Sequence, residues 1–265
     1  GGATLTIGHT TSGSSDLNIN TAQTHRKSLQ WKTTSTQQVW AGNTSYTTGS
    51  DDSISFSFWY RPDVMTAAGG GQRYILSAGQ NAANVSIQIW RNTTVFSVTL
   101  VNTLAGVKQW SYNGFFPSQK WEHVVVKIAK SNITTEPLVY RNGSLFASTS
   151  VVGSGGALAL REIAHLYLGD ASVANAWYEA EGDIQDFAVW DTQLNQEDSR
   201  ILYNSGSWFD LHFHPSGSSI IDWWTLGEES NIGQSVGSAL NTGTPVTTLA
   251  PTIGSHTLTL NSNSN

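Results

Sequence analysis

The chain has no cysteine in its 265 residues, so disulfides and thiolate metal sites are excluded, although the redox compartment is left open. Charge is sparse as well: Asp, Glu, Lys and Arg make up 12% of the residues, against about 25% in an ordinary globular protein. Ser, Thr, Asn, Gln and Gly must therefore carry much of the surface, which is hydrogen-bonding but weak in long-range field. With 13 Lys plus Arg and a net charge of −6, no basic stripe is available to follow a phosphate backbone, and nucleic acid is excluded as an expected partner. No apolar run approaches the length that crosses a bilayer, so membrane insertion is not expected.

What is present is alternation. In residues 53–60, serine alternates with Ile54, Phe56, Phe58 and Tyr60, which places the large side chains on one face of a half-buried strand. Val124, Val126 and Ile128 repeat the pattern. Asn142-Gly143 lies between the apolar runs 138–140 and 145–146, and the positive φ that a type I′ turn needs at both central residues makes this a hairpin signal. Further strands are expected over residues 74–77, 84–90, 95–100, 158–160 and 163–168. Ile184 and Phe187 are three apart, and only a bulge near Gln185 and Asp186 lets both face one core. One helix is expected over residues 195–203, capped by Asn195, acidic at Glu197 and Asp198, packed through Ile201 and Leu202, and stopped by residues 204–206. Short strands separated by Gly, Asn and Ser clusters describe an all-β, two-sheet antiparallel sandwich with one short helix.

Five segments carry a family resemblance. Residues 182–191 (Gly-Asp-Ile-Gln-Asp-Phe-Ala-Val-Trp-Asp) lead through Leu194 into the helix; upstream stand residues 53–62, 120–126 (Lys-Trp-Glu-His-Val-Val-Val), 139–145 and 166–170. Together they resemble the laminin G-like and pentraxin branch of the concanavalin A-like jelly rolls, over roughly residues 25–205. Three regions follow: a leader at 1–24, the jelly roll at 25–205, and a Trp-containing extension at 206–265 that packs on the domain or on a neighbouring subunit. Residues 220–229 look like a Trp-rich piece found beside laminin G-like domains in phage virion proteins, which implies a virion or cell-exterior, extracellular setting.

The resemblance also implies a cation. Pentraxins hold calcium on the loop after a Leu-Gly pair matched here by Leu168-Gly169, so Asp170 is the counterpart of an acidic ligand, and Glu179 lies near a second oxygen donor. Residues 171–174 lack the remaining acidic and amide cluster, which leaves at most a single weak site. Eleven Trp residues admit two uses, because an indole fills a sandwich core or stacks on a sugar ring. Trp59, Trp121 and Trp190 are expected in or near the core. Trp40, Trp90, Trp110 and Trp177 lie near loops or strand ends, and Trp177, between Asp170 and Glu179, is the preferred sugar-stacking residue.

Two other chemistries are written in the chain. Glu179, Glu181 and Asp183 at i, i+2 and i+4 would share one strand face, the spacing glucanases of this superfold use for glycan hydrolysis, though in a different order and broken by Gly182. A solvated rim strand is the simpler expectation. Asp210, His212 and His214 would alternate onto one face of a strand and could hold zinc; an ordinary amphipathic edge strand is the simpler expectation. Residues 69–71 are a hairpin loop rather than a phosphate loop. The terminal segments 4–7 and 257–260 look alike, and each either adds an edge strand to its own domain or pairs across subunits. The function expected is a non-catalytic attachment or decoration module that binds a cell-surface or extracellular glycan through rim loops. It would act in a homo-oligomer or with other virion or surface proteins. The alternatives are a purely structural self-assembling subunit and a glycan hydrolase.

Overall fold

The structure is a computed structural model that describes residues 29–31, 37–42, 46, 52–63, 71–81, 84–169, 180–226, 247–249, 253–254 and 258–262. Its first half forms β1 (Leu29–Trp31), β2 (Gln37–Gly42), β3 (Ser53–Pro62), β4 (Arg73–Asn81), β5 (Asn84–Asn92), β6 (Val95–Val101), β7 (Val107–Tyr112) and β8 (Glu122–Ala129). The second half adds β9 (Leu138–Arg141), β10 (Ser144–Phe146), β11 (Ser150–Val152), β12 (His165–Leu168), β13 (Gly182–Trp190), helix α1 (Gln196–Tyr203), β14 (Ile220–Trp224), β15 (Thr247–Leu249) and β16 (Leu258–Ser262).

These strands make two antiparallel sheets. One runs β1-β13-β3-β8-β9-β10, with β14 joining β13 alongside β1, and the other runs β11-β7-β6-β5-β4-β12-β2-β16-β15. The alternation seen in the sequence sets the core. Ile54, Phe56, Phe58 and Tyr60 of β3 and Val124, Val126 and Ile128 of β8 meet Ile87, Ile89, Val98 and Leu100 of the facing sheet. Asn142 (φ 51°) and Gly143 (φ 74°) both take positive φ between β9 and β10, as the hairpin turn requires.

The expected bulge is present. Between Gln185 and Ala188 the register of β13 on β3 shifts, Asp186 takes φ 49°, and Ile184 and Phe187 both enter the central core. Helix α1 carries a complete capping box: the Asn195 side chain accepts from Glu197 N and Asp198 N, while Asp198 accepts from Asn195 N. Asn204 ends it in the left-handed conformation.

The sequence expectation for β3 needs one correction, because its serine face is buried too. Leu194, α1 and residues 208–219 lie over the outer face of the first sheet, where Val125, Tyr140, Ala188, Trp190, Leu202, Leu211 and Trp223 form a second core. The serines anchor this third layer. Ser55 donates to the Thr192 carbonyl at 2.7 Å, and Ser57 accepts from the Trp190 indole at 2.9 Å. Residues 158–160 contribute only a bridge from Leu160 to Asn102, whereas β7 and β14 form where no strand was expected.

The C-terminal segment pairs within its own chain, Leu260 of β16 lying opposite Val39 of β2. Its N-terminal look-alike, residues 4–7, falls outside the described residues, as does all of 1–24. Among the described residues no helix is long and apolar enough to cross a membrane.

Candidate functional site: the stem of the 170–179 loop

Asp170, Trp177 and Glu179 lie outside the described residues, as does all of 170–179. The described structure begins at its two stems. Gly169 (φ 77°) leaves β12 with its N–H on the Ile75 carbonyl at 2.9 Å, and Ala180 places its N–H on the Gly169 carbonyl at 2.8 Å, so the two described residues that flank 170–179 are bonded to each other. Glu181 follows in the left-handed conformation (φ 45°), an arrangement non-glycine residues adopt only when their surroundings enforce it. Its carbonyl accepts from Asp63 N at 3.0 Å.

Buried charge provides the enforcement. Arg73 and Arg91 stand directly opposite each other across β4 and β5, an arrangement that repels unless an anion intervenes. The Glu181 carboxylate answers Arg73, whose Nε lies 2.5 Å from Oε2. Arg91 then binds the stem backbone: Nη2 donates to the Glu181 carbonyl at 3.0 Å and Nε to the Tyr60 hydroxyl oxygen at 2.6 Å, while that hydroxyl donates to the Ala180 carbonyl at 2.5 Å. Burial pushes the Tyr60 hydroxyl up to about 12, against the opposing pull of Arg91, so it stays a donor. Gly182 completes the fit, since a Cβ there would stand 2.3 Å from the Arg61 carbonyl oxygen. The start of β13 is thus tied to β3, β4 and β5 by buried side-chain contacts.

This geometry also decides the shared-face expectation for the carboxylates. The left-handed turn at Glu181 breaks the alternation that would align it with Asp183. Asp183 instead pairs with Arg61 at 2.6 Å on the outer face of the first sheet, while Glu181 points to Arg73. Two of the three acids are each held by an arginine, and Glu179 lies outside the described residues. The histidine expectation is corrected as well. Residues 211–213 form a 3-10 turn, not a strand; Asp210 accepts from His212 N and contacts His212 Nδ1 at 2.7 Å, and His214 is buried edge-on against Trp190. Among the described residues no three His, Cys, Asp or Glu side chains gather as a metal site.

The tryptophans sort clearly. Trp59 and Trp190 are buried, and Trp121 is half-buried beneath the Arg61 guanidinium at 5.5 Å. Trp110 is interior, not at a rim, and Trp90 is buried against Tyr74 on the outer face of the second sheet. Sequence reasoning missed Arg73 and Arg91. A signal for Arg91 exists, because it occupies the inward position of the series Ile87, Ile89, Arg91, where a charge cannot remain without a partner.

The profile of the concanavalin A-like lectin/glucanases superfamily, in its laminin G form, matches residues 33–200, and the chain belongs to this family. A search of curated proteins finds no match. Among solved structures, a candidate carbohydrate-binding protein from Bacteroides ovatus aligns over 86% of this chain and 58% of its own, with 11% identity and a TM-score of 0.50. The native heptameric SAP-like pentraxin of Limulus polyphemus aligns over 76% and 87% with 13% identity and a TM-score of 0.42. The botulinum neurotoxin DC binding domain in complex with SialylT aligns over 72% and 43% with 16% identity and a TM-score of 0.47. The chain spans 36 to 38% of the length of other botulinum neurotoxin receptor-binding domains it matches.

Proposed function

We propose that the protein is a non-catalytic carbohydrate-binding module on a virion or cell exterior, working in a homo-oligomer or docked on other surface proteins. It engages glycans through the 170–179 loop. The observation that carries this reading is the anchorage at residues 180–181: Arg73, Arg91 and Tyr60 hold Ala180 and Glu181, and Ala180 is bonded to Gly169, at the two ends of the segment whose sequence places Trp177 between Asp170 and Glu179. A rigid stem lowers the ordering entropy that a binding loop gives up when it closes on a ligand. Two of the carboxylates a hydrolase would need are occupied, since Arg73 holds Glu181 and Arg61 holds Asp183. The B. ovatus relative is itself described as a candidate carbohydrate-binding protein, which supports the reading through a shared fold.

Asp170 and Glu179 supply hard oxygen donors of the kind calcium takes, and in this reading they hold a single calcium ion that orders the loop. Glu181 does not join them, because Arg73 holds its carboxylate. The test is a glycan array read with wild-type protein, with Trp177→Ala, and with wild type in EDTA. Binding to a defined glycan set, weakened about tenfold by Trp177→Ala as expected for the loss of one ring-stacking contact, supports the reading. Absence of glycan binding, or release of reducing ends from the bound glycan, overturns it.

A further inference from the structure

On the outer face of the first sheet one side chain is out of keeping with its surroundings. Gln185 is 1% exposed, and neither its Oε1 nor its Nε2 has a hydrogen-bond partner. Buried amides are almost always paired, so an amide with both ends open points to a missing ligand group. Directly across the ladder stands Trp59, and across the next strand His123, whose buried Nδ1 is also without a partner. The Trp59 ring is contacted by the His123 ring at 5.1 Å and by the Tyr203 ring at 5.9 Å.

Tyr203 is the last residue of α1, and the chain beyond it forms a strap. Asn204, Ser205 and Gly206 are three consecutive left-handed residues, with φ of 44°, 57° and 88°, and two of them are not glycine. The strap closes on itself through Asn204 Nδ2 on the Trp208 carbonyl at 3.1 Å. It is tied down where the Trp208 indole N–H donates to Asp186 Oδ1 at 3.2 Å, next to Gln185 in sequence. Asn204 and Ser205 are exposed, and the strap runs from Tyr203, whose ring meets Trp59, to Trp208, which is tied to Asp186 beside Gln185.

We propose that Gln185, with the rings of Trp59, Tyr203 and Trp208, is a second carbohydrate subsite, which admits the hydroxyl edge of one neutral pyranose when residues 204–207 lift. The chemistry is specific. A primary amide offers a donor and an acceptor side by side, which neighbouring sugar hydroxyls match, and the aromatic rings offer faces for the sugar's C–H surface. The sugar is neutral because the nearest guanidinium in this row, Arg61, is held by Asp183 at 2.6 Å, leaving no cation for a sugar carboxylate. A lone water would pair the amide but would not account for the aromatic surround.

This inference rests on the reading that the chain binds carbohydrate, but on different residues from the 170–179 loop. The test follows the indole N–H and glutamine side-chain NH2 signals of ¹⁵N-labelled protein during titration with methyl α-D-glucopyranoside, methyl β-D-galactopyranoside and N-acetylglucosamine. Wild type, Trp177→Ala and Gln185→Leu are compared. Gln185→Leu removes an unpaired polar group and keeps the fold. The expected result is that at least one sugar shifts the Trp59, Trp208 and Gln185 signals in wild type and in Trp177→Ala, with an affinity at least about tenfold weaker in Gln185→Leu. No shift with any of the three sugars, undiminished shifts in Gln185→Leu, or a sugar-soaked crystal with only water at Gln185 each overturn it. Loss of array binding in Trp177→Ala with these shifts retained upholds both sites. Unchanged array binding in Trp177→Ala, with the shifts lost in Gln185→Leu, removes the loop reading and leaves this one standing.

Discussion

Arg73 and Glu181 meet at 2.5 Å with their side chains 5% and 3% exposed, at the point where the 170–179 loop rejoins the sheet. Removing one partner of such a pair strands the other charge in a dry interior. Glu181→Gln would leave the buried Arg73 guanidinium without a carboxylate and is expected to lower stability by about 3–5 kcal/mol. The double variant Arg73→Met/Glu181→Leu should lose markedly less. Urea unfolding of the three proteins checks this; equal losses in the single and double variants would contradict it.

Gly182 fits its place because no side chain does. A Cβ would meet the Arg61 carbonyl oxygen at 2.3 Å and the Tyr60 ring at 2.9 Å, and the first of these belongs to the backbone of the paired strand, which has little room to yield. Gly182→Ala is expected to destabilise by about 1–3 kcal/mol. It should also speed hydrogen exchange at Ala180 and Ile184, in the stem, more than at Val125 or Val189. Uniform exchange across the molecule would show that the stem is not a local unit.

His123 is held neutral by burial, which lowers its pKa to about 3 from the usual 6.5. Between these values the unfolded chain binds a proton that the folded protein refuses. The contribution is therefore fully present above pH 6.5 and is lost as pH falls toward 3, with a slope of at most about 1.4 kcal/mol per pH unit. His214, also lowered by burial, acts with the same sign. Stability measured against pH for wild type and His123→Leu should show a shallower acid limb in the variant; parallel limbs would contradict the assignment.

What could be read from the sequence was what neighbours in sequence decide. The hairpin at Asn142-Gly143, the capping box at Asn195 and the bulge at Asp186 are short-range, each set by φ preference or by parity within a few residues. The serine face of β3 was misjudged because the layer that buries it comes from residues 194–219, more than 130 positions downstream. Arg91 and Glu181 are 90 residues apart, and no local pattern reveals that one fixes the backbone of the other. The His212 and His214 alternation failed for a local reason instead. Asp210 caps a 3-10 turn, and its side chain competes with strand geometry for the His212 N–H.

The cap of α1 gives a smaller, cleaner effect. Asn195 accepts from two helix N–H groups, and Asn195→Ala is expected to lower stability by about 1 kcal/mol, seen as a fall in thermal midpoint. Asn195→Ser should recover most of it, because the serine hydroxyl can accept the same bonds. An alanine variant as stable as wild type would mean that the third layer, not the cap, holds the helix.

The most direct measurement of the central claim compares glycan-array binding by wild type and Trp177→Ala with an assay for reducing ends on the same glycans. The account predicts a defined set of bound glycans, binding weakened about tenfold in the variant, and no reducing ends released. Glycans cleaved by the wild type, or no glycan bound at all, would contradict it.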